Sequence, residues 1–99
     1  MLTFTFTSKL WMYQGKGAWH FLTLPKDAAD EIRFFHATAK GFTPLKVTAT
    51  IGDTTWKTAI FPDSKSGSFV LVVKRDVRNA EKIDGGDMVS ATVTLKSAF

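Results

Sequence analysis

Thr3, Thr5 and Thr7 alternate with Phe4 and Phe6, a period of two that predicts a half-buried strand. Ser8-Lys9 interrupts it, and Leu10-Trp11-Met12-Tyr13 continues with apolar residues on both faces. A bulge at the interruption would re-aim the strand. Gln14-Gly15-Lys16-Gly17 reads as a turn and Ala18 to Leu24 as the returning strand, which Pro25 closes. Asp27 then stands where a carboxylate caps the free amides of a helix. The spacing predicts that helix over residues 27–38, with Ala28, Ile32, Phe35 and Ala39 as its apolar stripe. Asp30 and Glu31 form its solvent face, and Gly41 ends it as a left-handed cap.

Leu45 to Ile51 alternates again, with Val47, Ala49 and Ile51 on one side and Thr48 and Thr50 on the other. Gly52-Asp53 signals a hairpin, Thr54 to Phe61 its partner strand, and Pro62 to Gly67 a polar loop. Phe69 to Val73 is a nearly continuous apolar strand of the kind found at the centre of a sheet. Lys74 to Ile83 predicts a short helix. Asp84-Gly85-Gly86-Asp87 then turns the chain into an alternating strand of Val89, Ala91, Val93 and Leu95.

The chain echoes itself at a distance of 49 residues. That shift places Leu24 on Val73, Lys26 on Arg75 and Asp27 on Asp76, each just after a strand and at the start of a helix. Two such halves in one chain predict a mainly β fold, a small pseudo-two-fold β-barrel of six or seven strands with two short helices. With no linker or low-complexity stretch, the expectation is one domain over residues 1–99.

Composition supports a packed core: 44% of the 99 residues are hydrophobic and 13% aromatic. There is no cysteine, which excludes disulfides and thiolate metal sites and fits a reducing compartment. The opening MLTFTFTSKLW reads as a strand and not a signal peptide. No apolar stretch is long enough to span a bilayer, so the expected location is the cytoplasm. Net charge is +4, and it is unevenly spread. Arg33, Lys40, Lys46, Lys57, Lys65, Lys74 and Arg75 face only Asp53 and Asp63 across the middle of the chain. A basic face attracts polyanions by counterion release; scattered lysines that keep the protein soluble are the plainer account.

Candidate chemistry is sparse. Arg78, with Lys74 and Arg75 beside it, is the best anion-binding candidate, since a guanidinium suits bidentate contact with phosphate or carboxylate. The plainer expectation is an ion pair of Arg78 with Asp87 or Asp76 that pins the short helix. Trp11, Trp19 and Trp56 could shelve bases or sugars, although packing in the core and at the barrel rim is the ordinary use of tryptophan. His20 and His36 have no accompanying ligand set. Asp84 and Asp87 flank two glycines without the calcium-loop pattern, and Asp87 is expected to accept backbone amides in a turn. No phosphate loop or nucleophile motif occurs. The expectation is therefore a protein that is not an enzyme and carries neither metal nor cofactor. Its ligand groove would lie near Trp56, Lys74, Arg75 and Arg78 and take an unknown protein or small molecule. The alternative is nucleic-acid binding through Lys46, Lys57, Lys74, Arg75 and Arg78.

Several segments together resemble the family called domain of unknown function 1905. They are Trp19-His20-Phe21, Val47 to Gly52, Trp56-Lys57-Thr58-Ala59-Ile60-Phe61-Pro62, Val77-Arg78 and Gly86-Asp87-Met88-Val89. The resemblance implies a double-split barrel, related in fold to AbrB-like transition-state regulators and MazE-like antitoxins. It also implies a bacteriocin-protection-type domain as a partner, acting in trans because the chain stops at Phe99. Ala59 stands where serine is usual, and Thr43-Pro44 where glycine and a small residue are usual. Lys74 replaces the proline usual in the regulators, and Ala29 stands where the second half has Arg78, so no symmetric basic reading surface is expected. Shared fold does not carry shared function.

Overall fold

The computed structural model describes residues 2–15, 19–35 and 44–95. The strands are β1 (Leu2–Lys9), β2 (Trp11–Met12), β3 (His20–Thr23), β4 (Leu45–Ile51), β5 (Thr54–Asp63), β6 (Ser68–Val72) and β7 (Met88–Leu95). Helix α1 (Lys26–Phe35) follows β3, and α2 (Arg75–Glu81) follows β6. All seven strands join one antiparallel sheet in the order β1-β7-β4-β5-β6-β3-β2.

The two ends of that order are neighbours in sequence, separated only by Leu10. The chain pairs with β7 through Lys9 and with β3 from Trp11. Leu10 is fully buried; its N–H donates to the Asp87 carbonyl at 2.9 Å, and its own carbonyl accepts from Gly86 N–H at 2.7 Å. The interruption at Ser8-Lys9 is thus where one strand leaves its first partner and takes another, and the sheet curls into a barrel. The Asp84–Asp87 turn is its clasp. Asp87 accepts the Asp84 N–H at 2.8 Å, as the turn chemistry predicts, and Gly86 takes φ 98°, where a side chain would be strained.

The internal echo is a true pseudo-two-fold. Leu22 pairs directly with Leu71, its counterpart 49 residues on. Leu24 N–H donates to Phe69 O and Val73 N–H donates to His20 O, both at 2.9 Å. Those bonds exchange under the same shift. The axis therefore passes between β3 and β6 at the Leu22–Leu71 pair, and each half sends its helix off just beyond it.

Side chains on paired residues share a face. The row Ile60–Leu71–Leu22 points inward, and all three are fully buried. Leu10, Ile32, Val77, Val93 and Leu95 complete the core with them. The Arg33 guanidinium ties α1 down, donating to Gly67 O at 2.6 Å and standing 5.3 Å from the Phe69 ring centroid.

Some expectations need correction. Phe35 is exposed, and Ala29 takes the inward position beside Ala28 and Ile32; a stripe read by spacing alone slides by a residue when a small side chain suits the contact. The predicted end of that helix, with Ala39 and Gly41, lies outside the described residues. Pro62 and Asp63 belong to β5, not to a loop. Proline is tolerated there because the described β4–β5 ladder ends at Leu45–Ile60, two residues before it. The second helix is shorter than predicted: Lys74 is extended at φ −71°, ψ 162°, and Lys82 turns left-handed at φ 55°.

Gly52 makes the first central residue of the β4–β5 hairpin at φ 56°. A Cβ there would meet the Glu81 carboxylate, which accepts from Thr54 Oγ1 at 2.6 Å. Gly52→Ala should cost about 2–3 kcal/mol, from left-handed strain and the lost hydrogen bond. A urea midpoint unchanged from wild type would contradict this.

Candidate functional site

The outside of the barrel has two characters. Over β1, β7, β4 and β5 it is a hydroxyl ladder, with pairs Thr3–Thr94, Thr5–Thr92, Thr7–Ser90 and Thr50–Thr55 at 2.7–3.3 Å between oxygens. Over β5, β6, β3 and β2 the outward rows are apolar: Phe61 pairs with Val70, Val72 with Phe21, and Phe21 with Trp11. Among the described residues no second layer covers this half. Trp19 is 53% exposed, Tyr13 49% and Phe61 38%. A contiguous exposed apolar patch on a small domain usually marks an interaction site.

The patch is hollow. Tyr13, Trp19, Phe21, Phe61, Val70 and Val72 enclose a groove of about 350 Å³. Local structure fixes its aromatic wall. Tyr13 N–H donates to Trp19 O at 2.8 Å, which sets both rings on one side of the strand ends. The Trp19 and Phe21 rings lie within 9° of parallel, with centroids 6.5 Å apart. Trp11 backs Phe21 at 4.9 Å, and its indole N–H donates to Thr23 Oγ1 at 2.9 Å.

A second groove, of about 380 Å³, adjoins the first and shares Trp19 and Val72 with it. It is lined in addition by His20, Val73, Lys74, Arg75 and Arg78. The strand β6 ends at Val72 and α2 begins at Arg75, so the three cations leave the sheet beside the aromatic wall. Arg78 is half-buried: its Nε donates to Val73 O at 3.3 Å, and Nη1 lies 3.5 Å from Nε2 of the buried His20. The expected ion pair with Asp76 or Asp87 does not form. Residues two apart on a helix do not face each other, and Asp87 is engaged in its own turn. Among the described residues the ion pair formed is Arg33–Asp30, and Lys74, Arg75 and Arg78 have no carboxylate partner there.

Of the residues singled out in the sequence, Lys74, Arg75 and Arg78 come together and Trp56 does not join them. Trp56 pairs with the fully buried Ala49, points inward, and packs half-buried against the core. Lys46 and Lys57 lie on exposed positions of β4 and β5 and do not line either groove. His36 is outside the described residues. Trp11 and Trp19, read in the sequence as a shelf for bases or sugars, stand together at the aromatic wall, whereas Tyr13, Phe21 and Phe61 are not singled out there. Trp11 and Tyr13, like Phe61 beside Ile60, make strands apolar on both faces, and an outer apolar face needs a reason.

A further hollow of about 270 Å³ lies between α1 and β1, edged by Asp27 and Glu31. Among the described residues no group of three or more histidines, aspartates or glutamates is placed to hold a metal ion. No helix among them is long and apolar enough to cross a membrane.

Comparison with known proteins adds a family. The model described as domain of unknown function (DUF1905) matches residues 6–93. No curated protein matches the chain.

Proposed function

We propose a role for this chain, which belongs to the DUF1905 family: a non-catalytic binding module of the cytoplasm whose site is the paired groove on the outer face of the barrel. One observation carries this reading. An aromatic groove and a cationic groove share a wall at Trp19 and Val72. Such a site suits a ligand with a flat apolar body and an anionic group close to it. The apolar half supplies affinity by burial and the cations fix orientation. Stacking walls and permanent cations hold a ligand; they do not provide the paired acid and base that hydrolysis needs. Cysteine-free composition supports the compartment.

The test is an amide-resolved NMR titration with 1-naphthyl phosphate, and with naphthalene methanol as the uncharged control. Shifts confined to Tyr13, residues 19–23, 61 and 70–78 are expected, with the phosphate recovered intact. The charged ligand should bind more tightly, and that advantage should shrink in salt. Shifts elsewhere, or none from either compound, would sink the reading.

A further inference from the structure

We infer that the occupant of this paired groove is single-stranded nucleic acid, its bases stacked on the Trp19–Phe21 wall and its phosphates held by Lys74, Arg75 and Arg78. The inference rests on the binding-module reading above and names the ligand for the same site.

Three observations favour it over other anionic partners. First, the two strands at the centre of the groove are each paired on both sides, β6 by β5 and β3, and β3 by β6 and β2. An extended peptide cannot add a strand at that centre, whereas a base needs only a π-face. Second, the aromatic groove is lined by side chains with almost no hydrogen-bonding groups, and stacking tolerates any base for that reason. Third, the cations lie next to the rings and not among them. Lys74, Arg75 and Arg78 occupy the adjoining groove with Trp19 as the common wall. In a single strand the phosphates run alongside the bases, so aromatic and cationic surfaces in neighbouring hollows match its two halves.

A rigid duplex hides its base faces, so it would meet only the cations.

The experiment is fluorescence anisotropy of the full chain with 5′-labelled oligothymidylate of ten residues, against a labelled ten-base-pair hairpin of DNA. Single-strand affinity is expected to exceed duplex affinity. Its logarithm should fall with log salt at a slope of about −2, three phosphate contacts at roughly 0.7 each. Trp19→Ala should weaken binding about ten- to a hundredfold. Trp19 is exposed, so its loss should leave the fold intact; Phe61→Ala serves as a second wall variant with the same expected direction. Arg75→Ala should reduce the slope by about 0.7. Lys57→Ala, on β5 but lining neither groove, should change neither value.

Equal affinity for duplex, unchanged affinity in both wall variants, or a loss in Lys57→Ala as large as in Arg75→Ala would each overturn the inference. If 1-naphthyl phosphate shifts the groove while oligothymidylate does not bind, the module reading stands and the nucleic-acid inference falls. If neither binds, both fall.

Discussion

Leu71→Ala should lower the stability of the barrel by about 3–5 kcal/mol, the range for emptying a fully buried leucine site that cannot collapse. Leu71 is fully buried, paired with Leu22 on one side and Ile60 on the other. It stands beside the pseudo-two-fold axis, on the β3–β6 ladder. Neighbours there are held by hydrogen bonds on both flanks, Leu24 to Phe69 and Val73 to His20, so the backbone is poorly placed to close the gap. At about 4–8 °C per kcal/mol for a domain of this size, the melting temperature should fall by roughly 12–40 °C. Leu71→Met should cost less than about 1.5 kcal/mol, since volume is kept. The pair also offers a test of the axis. Leu22→Ala and Leu71→Ala combined should differ from the sum of the single effects by about 0.5–3 kcal/mol, because the two deletions share one cavity. A melting temperature within a few degrees of wild type for Leu71→Ala would refute the core assignment, and strict additivity would refute direct packing across the axis.

The second large effect is Trp56→Ala, expected to cost about 2–4 kcal/mol, somewhat below the range for a wholly buried aromatic because part of the indole meets solvent. Its inward orientation separates stability from binding. Trp56 pairs with Ala49 inside the barrel, while the groove proposed to take a ligand is outside. Below its melting temperature the variant should bind 1-naphthyl phosphate as wild type does. Lost affinity with unchanged stability would reverse the assignment and return Trp56 to the surface.

That contrast shows how far the sequence could be read. Alternation gave β1, β4 and β7 with nearly their observed extents, because each has one polar outer face and a period of two is unambiguous there. Gly52-Asp53 specified a hairpin by local turn chemistry, and Asp87 specified its own turn. The shift of 49 was visible because it is written in short local units, strand end then helix start. Trp56 does not join Lys74, Arg75 and Arg78 for a reason that strand geometry supplies: it pairs with Ala49 on the inward row, where the ordinary packing role of tryptophan puts it. The partners of Arg78 were beyond local reading. Acidic residues two and nine positions away looked available, yet the guanidinium lies against Val73 and against His20, 58 residues distant in sequence. The aromatic wall joins Trp19 to Phe61 through registers that only the closed sheet establishes.

That closure, made at Leu10, sets the order in which the molecule can assemble. β1 must wait for β7: Thr3 and Thr94, bonded through their hydroxyls, are 91 residues apart. At ribosomal speeds of roughly 5–20 residues per second, β1 stays without its ladder partner for several seconds. During that interval an alternating Thr-Phe segment of high β-propensity is exposed, which is the composition most prone to pair with another chain. The folding rate should accordingly belong with slow, non-local β topologies, on the millisecond-to-second scale. The barrel seam is thus both the last part to form and the part most in need of protection while it is open.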